Sequence, residues 1–540
     1  MNIWELFKRE TTISPTPVFL MTLISGISNA LLLAIINASI KVVSYTNLNL
    51  RYFLMFFIML AIFLFSKKYA LQKSVIISEN MIKGIRVRLA DKIRKSDLIL
   101  LEKTGKGDIY NRITQDTEVI SQAVVLLVNA AQSVIMVVFC TLYVFFISKL
   151  AFFIIVCTIT LGTYVFYLFN RMVIEEVQET SKQENRFLEM VNQTIYGFKE
   201  LKINKKKSNE HFSYLKKIAF DTEALKIKTR LNFIVGFLFS QTFFYLLLAV
   251  IIFILPRLEH MYNVLVVQIV SSILFIVSPL EIFVQSIPFI ARANVAAGNL
   301  YKLEKQLDTI IKEPDNEHIP VPVVFKEITL EKIMFDYTDD YGMPLFTLGP
   351  ADLKIVRGEL IMIVGGNGSG KSTLLKLITG LYYPASGTIK VNDFPVLLSG
   401  YPEYREMFSI IFEDFYLFHK LYGFEIIDYE KINNLLKIMQ IDKKTSVVDG
   451  EFTAIRLSTG QRKRIAMIVS LLDDKQIYVF DEWAADQDPI FRKYFYEVLL
   501  KEMKKQGKTV IAVSHDDRYF HIADKVLKLE FGRFINYNPI

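Results

Sequence analysis

Apolar runs long enough to cross roughly 30 Å of hydrocarbon, which takes about 20 helical residues, recur six times before position 291. They fall near 16–40, 50–70, 121–147, 150–170, 232–256 and 262–290. The second is the weakest: its strictly apolar core, Tyr52 to Phe65, is short, and Arg51 and Lys67 must snorkel at its ends. Two long polar stretches separate the runs, 67–120 and 171–231. Both are strongly basic, with Lys67, Lys68, Lys73, Arg86, Arg88 and Arg94 in the first and Lys199, Lys202, Lys205, Lys206, Lys207 and Lys216 in the second. Basic flanks mark the cytoplasmic side of a membrane protein. The opposite connections, near 41–49, 148–149 and 257–261, are a few residues long and poor in basic side chains, so both termini are expected in the cytoplasm.

The two long stretches keep helical apolar spacing, as in Ile82, Ile85, Leu89 and Ile93. The membrane helices therefore continue into the cytosol. About 25 residues out and 25 back, at about 1.5 Å each, would carry the reversals roughly 35–40 Å below the membrane. Gly105-Lys106-Gly107-Asp108 and Lys205-Lys206-Lys207-Ser208-Asn209 are the expected turns. After residue 310 the pattern changes to a polar stretch, Lys312 to Glu317, ending in Pro320 and Pro322. From about 323, short β-branched runs such as Leu360–Val364, Ile477–Phe480 and Val510–Val513 alternate with helical segments, the order of an α/β domain with a largely parallel sheet. The expected plan is a transmembrane domain over 1–310, a linker over 311–322 and an α/β domain over 323–540.

Composition sharpens this plan. The 540 residues are 52% hydrophobic and 13% aromatic, with two cysteines, which excludes a disordered chain and a disulfide scaffold. Cys140 and Cys157 lie in apolar runs and read as packed thiols. The net charge of +8 comes from lysines and arginines beside the apolar runs, so membrane lipids, and no nucleic acid, are the expected partners. The first residues carry charges of both signs and no cleavable signal pattern. About 15 residues precede the first span, so no peptidase domain and no leader cleavage are expected.

The chemistry concentrates in the second half. The strand Leu360–Val364 runs into Gly365-Gly366-Asn367-Gly368-Ser369-Gly370-Lys371-Ser372-Thr373 and then into a helical run, which is a phosphate-binding loop in its strand-to-helix setting. Glycines let backbone N–H groups turn toward phosphate, the helix N-terminus adds a positive end, and Lys371 adds a full charge. Ser372 is the expected Mg²⁺ ligand. A second apolar strand ends in Asp481-Glu482: Asp481 is placed for the magnesium shell and Glu482 to polarise an attacking water. Between them, Leu457-Ser458-Thr459-Gly460-Gln461 opens an apolar-striped helix whose exposed amides suit a second anion.

These three elements, in this order, resemble the nucleotide-binding domain of the ABC transporters, and the resemblance covers nearly all of 323–540. Leu457–Gln461 then corresponds to the signature motif, reading LSTGQ where LSGGQ is usual. The resemblance implies that Ser458 and Gly460 contact the γ-phosphate held by another subunit, that Gln461 of the same motif helps bind the nucleotide, and that Asp488 crosses the same interface. With one phosphate loop and one signature per chain, a homodimer with two composite ATP sites is implied. Tyr337 resembles the aromatic residue that stacks on adenine, the alternative being an edge-strand tyrosine. His515 resembles the histidine that contacts the γ-phosphate and orients the water. Glu413 stands where a glutamine usually touches Mg²⁺, which adds negative charge beside the phosphates.

The wording Asp481-Glu482-Trp483-Ala484-Ala485-Asp486 is similar to that of the exporters of cyclic peptides, lasso-type microcins and siderophore precursors. Stretches 107–116 and 197–202 resemble the two intracellular loops of exporters, which dock on the ATPase domains. The fold implied is a membrane α-helical bundle of six transmembrane helices, ABC exporter type, plus an α/β P-loop NTPase domain. The activity implied is ATP-driven, Mg²⁺-dependent efflux of a peptide-like substrate across the inner membrane, with Glu482, His515 and Lys371 as the catalytic set. Lipid or glycolipid flipping, multidrug export, siderophore import and a non-hydrolysing ATP-gated regulator are the alternatives. Polar residues within the spans, Asn29, Asn37, Asn129, Gln132, Gln241, Gln268, Glu281 and Gln285, are expected to turn from lipid toward a cavity or a neighbouring helix.

Overall fold

The computed structural model describes residues 3–10, 14–40, 49–259, 263–310, 325–339 and 341–535. It divides into two compact units: 1–94 with 104–308, and 95–103 with 309–540.

The first unit is helical. A short helix α1 (Ile3–Glu10) precedes α2 (Thr16–Ile40), α3 (Leu50–Lys95), α5 (Lys106–Asn111), α6 (Thr117–Ile147), α7 (Lys149–Tyr196), α8 (Phe198–Ile203), α9 (Lys205–Ala249), α10 (Leu255–Glu259) and α11 (Asn263–Ile310), while α4 (Leu98–Thr104), between α3 and α5 in the chain, falls almost wholly in the second unit. Among the described residues five helical stretches are long and apolar enough to span a membrane, within α2, α3, the α5–α6 run, the α9–α10 run and α11. The expected fourth span is the apolar stretch Lys149–Val165 of α7. Helices of 45 to 48 residues (α3, α7, α9, α11) exceed any bilayer and continue past it, as the polar periodicity predicts.

The second reversal differs from expectation. It runs through Gly197 and α8 to Asn204, whose side chain caps α9 by accepting from the Lys207 N–H. The lysines at 205–207 begin the helix instead of turning, because lysine is a good helix former and the Asn204 oxygen satisfies an otherwise orphaned donor.

Most polar groups in the spans hold helices together. Asn37 donates to the Gln268 carbonyl (3.2 Å) and accepts from Ser271 (2.6 Å), while Gln268 returns a bond to the Asn37 carbonyl (2.8 Å). Gln132 donates to Ser25 (3.0 Å) and Asn29 to the Met136 sulfur (3.0 Å). Gln241 donates to Glu281 (2.7 Å), which pairs the one ionisable residue on the expected list. Gln285 faces a cavity of about 390 Å³ with Phe233, Pro288 and Phe289.

On the cytosolic extensions, Glu304 of α11 accepts from Arg9, Arg88 (2.9 Å) and Lys92 (3.0 Å), and Glu10 of α1 takes two further bonds from Arg88. Burial opposes the charge on Glu304, but hydrogen bonds from Arg9 and Lys92 and the charge of Arg88 outweigh it and hold its carboxyl down at about 2. This cluster ties α1, α3 and α11 together.

The second unit is α/β. Strands β1 (Glu327–Thr338), β2 (Pro344–Val356), β4 (Ser386–Val391) and β5 (Phe394–Pro395) form an antiparallel sheet in the order β2-β1-β4-β5. The larger sheet has the order β12-β11-β3-β10-β9-β6, with β3 (Leu360–Val364), β6 (Phe408–Ile411), β9 (Ile477–Asp481) and β10 (Thr509–Val513) parallel to one another, β11 (Lys525–Glu530) parallel to β3, and β12 (Arg533–Ile535) antiparallel. A small ribbon pairs β7 (Val447–Val448) with β8 (Glu451–Phe452). Helices α12 (Lys371–Ile378), α13 (Tyr401–Arg405), α14 (Tyr429–Ile438), α15 (Thr459–Asp473), α16 (Pro489–Tyr494) and α17 (Leu500–Lys505) complete the unit. Every residue of β3, β9 and β10 is buried. That is why these strands read as continuous apolar runs without alternation. Parallel neighbours put the C-terminal ends of β3, β9 and β10 side by side, and the loops that leave those ends carry the candidate chemistry.

Because the Glu304 carboxyl lies below its ordinary value of 4.5, its contribution is complete above pH 4.5 and fades as the pH falls toward about 2. Glu304→Gln should destabilise the membrane half by about 2–3 kcal/mol at pH 7. In thermal melts of the detergent-solubilised protein this deficit should shrink as the pH drops below 4.5; an equal deficit at pH 7 and pH 3 would contradict it.

Candidate nucleotide site

The loop between β3 and α12 is shaped by glycine. Gly368 and Gly370 take φ of 75° and 103°, and a Cβ on Gly370 would sit 2.9 Å from the Phe346 ring. Lys371 begins α12, is buried, and donates from Nζ to the Gly365 and Gly366 carbonyls (3.0 and 3.1 Å). The ammonium thus lies inside the curl of its own loop. The Ser369 hydroxyl is buried there with no hydrogen-bond partner, a group that a phosphate oxygen would satisfy. Asn367 and Ser372 are exposed, and Thr373 is buried in the first turn of α12.

Asp481 ends β9 and is buried. Desolvation raises its pKa, a hydrogen bond from Ser372 opposes that, and the negative charges of Glu482 and Glu413 raise it further. Glu482 and Glu413 thus add negative charge around Asp481, and the Lys371 ammonium opposes it. Among the described residues no group of three His, Cys, Asp or Glu side chains is arranged to hold a metal alone. A divalent ion here would rely on Ser372, Asp481 and phosphate oxygens, and it would relieve the repulsion that the three acids create.

Glu482 follows in a left-handed conformation (φ 48°, ψ 36°). Its Oε1 lies 2.8 Å from His515 Nε2 and 3.9 Å from Lys371 Nζ. The turn after β9 thus points the carboxylate between the histidine at the end of β10 and the phosphate-loop lysine. Glu482 and His515 also line a cavity of about 300 Å³ with Ser514, Asp516 and Arg518. A carboxylate in that place can orient and deprotonate a water.

The backbone of Glu482 depends on a residue that motif reading passed over. Lys463, 1% exposed, donates to the Glu482 carbonyl (2.9 Å) and pairs with Asp486 (2.7 Å), and its own carbonyl accepts from the buried Trp483 indole (2.9 Å). The signature helix and the turn carrying Glu482 are thereby pinned to each other. The only sequence signal was a lysine one turn inside that helix.

The signature segment itself forms a helix start. Ser458 and Gln461 make a reciprocal capping box, and Gly460 approaches the Asp486 carbonyl so closely that a Cβ would lie 2.5 Å from it. Ser458 is exposed at this cap. Asp488 caps α16 by accepting from the Phe491 N–H (3.0 Å) and pairs with Arg464 (2.6 Å), and these bonds hold its carboxyl below the usual range. Tyr337 sits on β1, 6.4 Å centroid to centroid from Phe346, the ring that packs over Gly370. Glu413 is exposed just beyond β6. The structure therefore gathers Lys371, Ser372, Asp481, Glu482, Glu413 and His515 in one place, with Tyr337 beside the loop. Ser458, Gly460, Gln461 and Asp488 form a separate edge, joined through Gln461, Gln487 and Arg464.

Residues 16–279 match the family model described as ABC transporter transmembrane region, and residues 348–485 the one described as ABC transporter. The chain belongs to the ABC transporters, as a half-transporter of exporter type: a multi-pass membrane protein with a cytoplasmic ATP-hydrolysing domain. ATP-binding protein SyrD of Pseudomonas syringae pv. syringae is 27% identical over 530 residues, 95% of this chain and 92% of that protein. Subtilin transport ATP-binding protein SpaT of Bacillus subtilis is 26% identical, covering 63% of this chain and 57% of its own. The ATP-dependent lipid A-core flippase of Burkholderia orbicola is 26% identical over 50% of this chain and 46% of its own. A bacterial Atm1-family ABC exporter solved with ATP bound shares the fold, with a TM-score of 0.78 over 96% of this chain and 93% of that one at 18% identity.

Replacing Glu482 by Gln should leave ATP binding within about threefold and lower steady-state turnover by about 10²-fold or more, the usual weight of a general base. Phosphate release together with fluorescent-nucleotide binding measures both; unchanged turnover would remove Glu482 from the chemistry. Lys371→Ala should weaken nucleotide binding itself, and binding at parental affinity would show that the lysine inside the loop does not serve phosphate.

Proposed function

We propose that two copies of this chain pair to export a peptide-like substrate, such as a cyclic or lasso peptide or a siderophore precursor, by alternating access. The observation that carries the reading is the likeness to SyrD over nearly the whole length of both chains, membrane domain included. The partial likeness to SpaT, named for transport of subtilin, supports a peptide cargo.

In this reading Gly365 to Thr373 hold the phosphates, Lys371 neutralises them, and Tyr337 stacks on the adenine. Ser372 and Asp481, with Glu413 at the edge, would hold Mg²⁺, which would supply positive charge against the phosphates. Glu482 takes the proton of the attacking water, and His515 orients its carboxylate through the 2.8 Å contact. Ser458, Gly460 and Gln461 of one copy complete the site of the other, and Asp488 stands at the same seam. ATP favours the closed pair, and only this difference in affinity between closed and open states shifts the membrane helices. Hydrolysis removes it.

Lipid or glycolipid flipping is the second reading, and the lipid A-core flippase relative favours it over half of the chain. Inverted membrane vesicles separate the two. A labelled cyclic-peptide panel should accumulate inside vesicles with ATP and fail to accumulate with the Glu482→Gln protein. ATP-dependent movement of a fluorescent lipid with no peptide accumulation would replace the peptide reading with the flippase one.

A further inference from the structure

The adenine platform assigned above is tied by hydrogen bonds to the tip of the first cytoplasmic hairpin. Helix α4, at that tip, clusters with the ATPase unit, and Leu98 and Ile99 pack against its core. From the same helix Glu102 accepts from Lys376 Nζ (2.8 Å) and from the Tyr382 hydroxyl. Tyr382 is 1% exposed, stacks flat on Phe335 (4.8 Å, 10°), and lies under the Lys376 ammonium (5.0 Å). Its hydroxyl oxygen in turn accepts from the Tyr337 hydroxyl (3.0 Å).

The polarity of this chain is fixed at one end. A carboxylate only accepts and a phenol donates one proton, so Tyr382 must donate to Glu102 and is left to receive the proton of Tyr337. Burial and the neighbouring Glu102 charge push the Tyr382 phenol well above its ordinary range, so it remains a donor. Lys376, on α12, also donates to the Tyr382 hydroxyl (3.3 Å), so Tyr382 is held by Lys376, Tyr337 and Glu102 together. Losing Glu102 would free the Tyr382 proton to turn toward Tyr337, so the bond between the two hydroxyls would no longer run in one fixed direction and would hold the Tyr337 ring less firmly.

We propose that Tyr382 and Glu102 are positioning residues through which the membrane domain's hairpin sets the orientation of the Tyr337 ring, so that ATP affinity is adjusted at the nucleobase. The inference rests on the reading of Tyr337 as the adenine platform. It predicts an effect confined to the base: Tyr382→Phe, which keeps the ring and its stacking, and Glu102→Ala should each raise KM for ATP about three- to tenfold, the weight of one hydrogen bond in a buried chain. The maximal ATPase rate should stay within about twofold. Inhibition by tripolyphosphate, which has phosphates and no base, should keep its Ki.

The two substitutions should also be non-additive, since they break one chain. ATPase kinetics of the full-length protein in lipid nanodiscs provide the readout, with Tyr337→Ala alongside. If Tyr337→Ala leaves KM for ATP unchanged, the platform reading falls and the relay with it. If Tyr337→Ala raises KM while Glu102→Ala and Tyr382→Phe do not, the relay alone is wrong. Equal shifts in ATP KM and tripolyphosphate Ki would mean a general loosening of the domain and would also overturn it. Should Tyr382→Phe misfold, Glu102→Ala, at a side chain 39% exposed, decides the matter alone.

Discussion

Three carboxylates around one buried lysine are the constraint on which the ATPase half is built. Asp481, Glu482 and Glu413 repel one another at the end of β9, and burial aggravates the repulsion on Asp481. Such an arrangement persists only because the scaffold over-determines it. Every residue of β3, β9 and β10 is buried, Lys371 is held by two carbonyls of its own loop, and Lys463 fixes the turn that carries Glu482. A site prepared in this way is short of positive charge and rich in donors aimed at phosphate. Such a site suits the phosphates of ATP, and pre-organisation of this kind spares reorganisation during a reaction.

Residues 95–103, from the tip of the first hairpin, belong to the ATPase unit, and the helix there carries an acid bonded to a buried tyrosine. Its leucine and isoleucine anchor it by burial, which is non-directional, while Glu102 supplies the direction. A hairpin attached by grease alone would report only its presence; one attached through a hydrogen-bonded chain also reports its register. On the membrane side, the ion cluster around Glu304 performs a comparable task by fixing the end of the last long helix to α1 and α3.

How much of this was legible in the sequence follows from the range of the interactions. The phosphate loop was readable because it is local: glycines at fixed offsets, a strand before, a helix after. Asp481 and Glu482 were readable because a fully buried strand announces its own end. Long helical hairpins were readable from spacing, but the second turn was displaced to Gly197–Asn204, since a run of lysines resembles a loop in composition while Asn204 makes it a helix start. Tyr382 and Lys463 carried no local sign of their roles. Tyr382 is 45 residues from Tyr337 and 280 from Glu102, and Lys463 is 19 from Glu482. Partners that distant are joined only by the fold, and no window along the chain contains them.

One requirement unites the account: the signature edge of one copy must meet the phosphate loop of another. Cysteine cross-linking tests it directly. Gly366 has open space where a Cβ would be, and Ser458 is exposed at its helix cap, so Gly366→Cys in one tagged copy and Ser458→Cys in another can be made in a background where Cys140 and Cys157 are serine. The account predicts a disulfide between differently tagged copies that forms with ATP and magnesium and not without them. A protein that runs at single-chain mass under every nucleotide condition, and hydrolyses ATP at the full rate, would contradict it.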